Sequence, residues 1–122
     1  MTIKELYDNI GGNYEQAVKV MKLDKLIDRH IRKFTNNTMM ENMRTASDAM
    51  DPNGIFESAH AMKGVCANLG LVKLSEAASE LAEEFRPGTA RSMSDDEVRR
   101  RVEAIGELFK ATTDGILQYA GS

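Results

Sequence analysis

A helical spacing of apolar residues runs through the chain, and no alternating strand pattern interrupts it. The spacing is clearest from 53 to 70, Asn-Gly-Ile-Phe-Glu-Ser-Ala-His-Ala-Met-Lys-Gly-Val-Cys-Ala-Asn-Leu-Gly. At about 100° per residue, Ile55, Met62 and Leu69 fall on one row, flanked by Ser58, Ala59, Val65 and Cys66. Such a seam must bury against other elements. Asn53, His60 and Ala67 make the opposite row, so His60 is expected to face solvent with Lys63 and Gly64 one turn ahead. The seam faces in; the imidazole faces out.

The other elements follow from caps and breaks. Thr2 and Glu5 have capping-box spacing and open a short helix to about Ile10, ended by Gly11-Gly12. Asn13 and Gln16 repeat that logic for a second short helix to about Met21. From Asp24 a stronger helix runs to about Asn36. Its stripe is Leu23, Leu26, Ile27, His30 and Phe34, with Ile31 at the edge, so His30 is expected within the apolar face, partly buried with a local hydrogen bond. Asn36-Asn37-Thr38 breaks or bends the helix, and Thr38 with Glu41 restarts it as a capping box through Met50. Met39, Met40, Met43 and Met50 read as pliable core filling.

Asp51-Pro52-Asn53-Gly54 is a turn and helix start, and Gly70 reads as a left-handed C-cap. A further helix covers about Val72 to Phe85, with Leu74, Ala77, Ala78, Leu81 and Phe85 on one face, and Arg86-Pro87-Gly88 ends it. After a loop at 87–93, Ser94 and Glu97 cap a final helix to about Tyr119, lined by Val98, Val102, Ile105, Leu108 or Phe109, and Leu117. Short turns imply antiparallel neighbours. The expected fold is all-α: an up-down four-helix bundle of about 24–50, 53–69, 72–86 and 94–119, with two short N-terminal helices packed against it. One domain, 1–122, is expected.

Composition narrows the chemistry. With 42% hydrophobic residues and no Trp among 122, the core must lean on Leu, Ile, Val, Ala and Met. A net charge of −3 argues against nucleic acid and membrane surfaces. A single cysteine, Cys66, cannot form an internal disulfide, and no signal peptide or long apolar run appears, so a cytoplasmic protein is expected. Arg99-Arg100-Arg101 wraps around its helix and reads as solvated surface. No glycine-rich phosphate loop, kinase ATP-site motif or acidic metal cluster is present, so neither nucleotide nor metal is expected to bind. His30 and His60 lie on different faces and make no ligand set.

The chemistry therefore rests on His60. An exposed imidazole is a nucleophile and base, and Lys63 at i+3 puts an ammonium beside whatever becomes attached to it. A point positive charge there suits a phosphoryl group. Gly64 costs about 1 kcal/mol relative to Ala inside a helix and packs nothing. Its use is clearance: a second protein's backbone can come close to the imidazole. Ala67 keeps the same surface low, and Phe56 offers an apolar contact beside the histidine.

His60-Ala61-Met62-Lys63-Gly64, followed six residues later by Gly70, resembles the H-x-x-K-G-x(5)-G signature of histidine-containing phosphotransfer domains. Ala59 and Asn68-Leu69-Gly70-Leu71 also look like that family, as do 11–17 and Leu26-Ile27 through Phe34, so the resemblance covers most of the chain. It implies an intermediate in a two-component phosphorelay. A receiver domain of a response regulator or hybrid sensor kinase would give its aspartyl phosphate to the distal nitrogen of His60, which would pass it to another receiver. Lys63 would offset phosphoryl charge, and Phe56, Gly64 and Ala67 would form the docking surface. The receiver would supply Mg²⁺, leaving this chain a monomeric carrier without cofactor or ATP site. An orienting hydrogen bond to the proximal nitrogen is expected, from a residue the sequence does not name. The dimerisation helix of sensor kinases fits less well, because Ala61 stands where an acidic residue is typical and no proline follows before Pro87. The competing reading is a helical adaptor that binds signalling partners without phosphotransfer.

Overall fold

Seven helices make up the computed structural model: α1 (Ile3–Ile10), α2 (Tyr14–Met21), α3 (Asp24–Phe34), α4 (Met39–Asp48), α5 (Pro52–Asn68), α6 (Val72–Glu84) and α7 (Asp95–Ala120). The structure describes residues 1–121, and no strand occurs among them; Ser122, the last residue of the expected domain, lies outside.

The capping chemistry explains most of the starts. Thr2 and Glu5 close a complete capping box, with the Glu5 N–H donating to Thr2 Oγ1 at 3.1 Å and the Thr2 N–H to Glu5 Oε1 at 2.9 Å. Asn13 and Ser94 each accept the N–H three residues on, at 3.0 and 3.2 Å. Neither box is reciprocal: Gln16 reaches into α5, and Glu97 turns to Arg100 and Arg101. The expected box at Thr38 does not form. Asn37 takes its place, accepting from the Met39 N–H at 3.0 Å while its amide donates to the Phe34 carbonyl. That asparagine terminates α3 and starts α4 at once, so 24–50 is two helices.

The buried line of α3 also differs from the expected stripe. Ile27, Ile31 and Phe34 are buried, whereas Leu23 is 60% exposed and His30 is exposed. Contacts with α7 set this rotation. The Phe34 and Phe109 rings lie 5.3 Å apart, and the Tyr119 hydroxyl donates to Asp28 at 2.5 Å while Arg32 sits over the Tyr119 ring. His30 therefore turns to the surface.

Helices α4, α5, α6 and α7 form a closed ring of neighbours: α4 on α5, α5 on α6, α6 on α7, and α7 on α4. Their shared interior holds Met43, Ile55, Met62, Leu74, Leu81, Val98 and Ile105, all buried. Met40 joins this core, while Met39 and Met50 are half-buried at its edge. The two short helices are part of the same body. Leu6, Tyr7 and Ala17 are fully buried, with α1 on α7 and α2 on both α3 and α5. The loop after α6 is tied down by Glu84, which accepts from the Met93 N–H at 2.6 Å and from Ser92; these bonds hold its carboxyl below the usual carboxylate range.

Candidate functional site

Helix α5 carries the candidate residues and is fixed at both ends. Pro52 occupies its first turn, where a missing N–H costs nothing. At the far end Gly70 takes φ 69°, and the Leu71 N–H donates back to the Cys66 carbonyl at 2.9 Å. A Cβ on Gly70 would lie 2.3 Å from the Asn13 carbonyl oxygen, so only glycine fits where α2 begins.

The last-turn carbonyls of a helix have no partner within it. Here the N-terminal helices supply the donors. Tyr7 Oη donates to the Leu69 carbonyl at 2.6 Å, Gln16 Nε2 to Ala67 at 2.8 Å, and the Asn13 N–H to Gly70 at 2.8 Å. Burial pushes the Tyr7 hydroxyl well above its ordinary pKa, so it remains a donor. These contacts were not legible locally. Gln16 sits at cap spacing, and nothing near Tyr7 names Leu69 as its acceptor.

Around the helix the seam is buried through Ile55, Ser58, Ala59, Met62, Cys66 and Leu69. Burial pushes the Cys66 thiol up to about 12. Val65 departs from the expectation at 41% exposed. It lines a shallow groove of about 380 Å³ with Met21, His30, Lys33, Phe34 and Met39, left open because α3 turns its apolar line toward α7.

His60 is exposed on the opposite row. The expected hydrogen bond to its ring is absent: neither nitrogen has a partner among the described residues. Its contact is Phe56, one turn earlier, whose ring lies 5.4 Å away between centroids and 18° from parallel. Lys63 is half-buried, its carbonyl accepting from Ser75 Oγ of α6 at 3.2 Å. Its ammonium reaches the neighbourhood of Glu83, whose carboxyl is held below its ordinary value by the Arg86 guanidinium first and by Lys63 in addition. Gly64 is exposed, and a Cβ there would meet nothing within 4 Å. Ala67 is half-buried. One helix face thus brings Phe56, His60, Lys63, Gly64 and Ala67 together around a bare imidazole. An open nucleophile that shares its helix face with a lysine can accept and hold a group that a partner activates.

No helix among the described residues is long and apolar enough to cross a membrane. No curated protein and no solved structure matches the chain. The family model described as Hpt domain matches residues 34–114, which takes in α4, α5, α6 and most of α7. Residues 11–17 and 26–33, likened above to the family's upstream helices, lie outside the match. Hpt domains are phosphocarrier modules that work with receiver domains in phosphorelays, rather than enzymes with an ATP site. An outward histidine on a helix of a strand-free fold, within a match spanning more than half of the sequence, leaves one conclusion: the chain belongs to the Hpt domain family.

Proposed function

We propose that the chain acts as a single phosphocarrier domain over residues 1–122, with His60 as the residue that is phosphorylated. The observation that carries this reading is the exposed imidazole beside a position where a Cβ would meet open space. The distal nitrogen, Nε2, attacks the phosphorus of a receiver's aspartyl phosphate. The N–P bond forms as the P–O bond to the aspartate breaks, and the carboxylate leaves with the electron pair. Transfer to a second receiver reverses these steps. Lys63 offsets charge on the transferring group. The receiver, from a response regulator or hybrid sensor kinase, docks over Gly64, Ala67 and the outer edge of Phe56 and supplies the Mg²⁺. The carrier needs no cofactor and works as a cytoplasmic monomer. An up-down arrangement of the main helices, supported by their ring of contacts and short connections, holds α5 rigid beneath the partner.

The test is label transfer from a panel of phosphorylated receivers. Wild type should take up acid-labile phosphate, and His60→Gln should keep the helical signal and melting behaviour while losing all uptake. Residual label at His30 in that variant overturns the assignment. Receiver binding without any label in wild type favours an adaptor.

A further inference from the structure

No group among the described residues hydrogen-bonds either nitrogen of His60, so little in the protein fixes its rotation about χ2, a broad torsion. In-line attack requires the Nε2 lone pair to be aimed at phosphorus, and misalignment is slow. On α5 one group can impose that aim. Phe56 lies four residues before His60, on the side toward which helical side chains lean, and its ring is nearly parallel to the imidazole. The Phe56 ring is itself held, because it is half-buried and packed against the core. We infer that Phe56 is a positioning residue for phosphotransfer: its ring fixes the plane of the His60 imidazole while leaving both nitrogens open at the edge.

This rests on the phosphocarrier reading and gives Phe56 a second role beside docking. A stack covers one face of the imidazole, whereas attack uses the ring edge. As Nε2 takes the phosphoryl group, Nδ1 still carries its proton, so the ring is cationic at that moment. The π face of Phe56 attracts that cation. The same contact therefore aligns the nucleophile before transfer and favours the positive charge the ring gains as the N–P bond forms.

Phe56→Leu keeps apolar bulk for a docking partner and removes the ring; Phe56→Tyr keeps the ring. Transfer is measured by rapid quench against increasing concentrations of a phosphorylated receiver that labels wild type. Phe56→Leu should lower the rate at saturating receiver by about three- to tenfold, the range of an aromatic or cation–π contact, with less than about a twofold change in half-saturating concentration. Phe56→Tyr should restore the saturating rate. A raised half-saturation with an unchanged saturating rate overturns the inference and leaves Phe56 a docking contact alone; unchanged values in both also overturn it. Independently of any variant, the His60 ring protons in wild type should show the upfield NMR displacement of a stacked ring, and random-coil shifts there overturn the inference. A wild type that takes no label from any receiver instead refutes the phosphocarrier reading itself.

Discussion

Gly64 is the residue at which use and stability pull in opposite directions. Its α-carbon faces open space, so Gly64→Ala relieves backbone entropy without a clash and should stabilise the fold by roughly 0.5–1 kcal/mol in denaturant melts. Gly64→Gln should also fold, yet transfer phosphate poorly, because its side chain occupies the partner's approach. A destabilised Ala variant, or a Gln variant with normal transfer, removes the clearance argument. At this scale the sequence was informative wherever one helix's own geometry decides direction. The row through Asn53, His60 and Ala67 has to oppose the row through Ile55, Met62 and Leu69, whatever surrounds the helix. His30 and Val65 were misplaced because their burial depends on which neighbour covers them. The Phe56 stack had a faint signal, an aromatic four residues before a histidine, but that spacing alone does not show the rings parallel.

Among the elements, α5 has its C-terminal end held by parts remote in sequence. The Tyr7 hydroxyl reaches across 62 residues to the Leu69 carbonyl in a buried hydrogen bond. Tyr7→Phe keeps the ring and strands that carbonyl, so unfolding free energy should fall by about 1–3 kcal/mol in urea melts while the far-ultraviolet helical signal stays unchanged. A loss below a few tenths would show that the bond contributes little to holding α1 on α5. Helix ends with local caps were legible, as the complete box at Thr2 and Glu5 shows. The junction at 36–38 was legible as a break but not in its chemistry. Asn37 takes the Met39 amide while Thr38 makes no cap bond at all, and spacing does not reveal which of the two side chains caps the helix.

At the level of the whole molecule, the family match begins at Phe34, while the buried core begins at Leu6. Taken alone, the match would make residues 1–33 an appendage. The packing contradicts this. Deleting 1–21 would strip Leu6, Tyr7 and Ala17 from the core, take the Tyr7 and Asn13 donors from the Leu69 and Gly70 carbonyls, and leave Ala67 with the Gly70 N–H but without Gln16. The shortened chain should melt well below the full chain or aggregate, as judged by circular dichroism and size-exclusion chromatography. An unshifted melt would show α1 and α2 to be dispensable. The all-helical character was readable from periodicity and caps, but this dependence was not, because it rests on contacts between ends of the chain that no local pattern encodes.

The tie between α1, α2 and the end of α5 also sets how the protein breathes. Amide protons exchange with solvent only when their hydrogen bonds open, and bonds that open together exchange together. Leu71 donates to Cys66 and Asn13 to Gly70, while Leu69 and Ala67 accept from Tyr7 and Gln16. Swinging the N-terminal pair away breaks the Asn13, Tyr7 and Gln16 contacts at once while leaving Leu71 bonded to Cys66 within the end of α5, so the Asn13 amide should exchange at the rate of that opening. The amides around His60, two turns back along α5, should exchange more slowly, with the ring of main helices. The His60 face then sits on the slowest-opening part of the fold, and any partner meets it already formed even while the N-terminal end of the molecule is open.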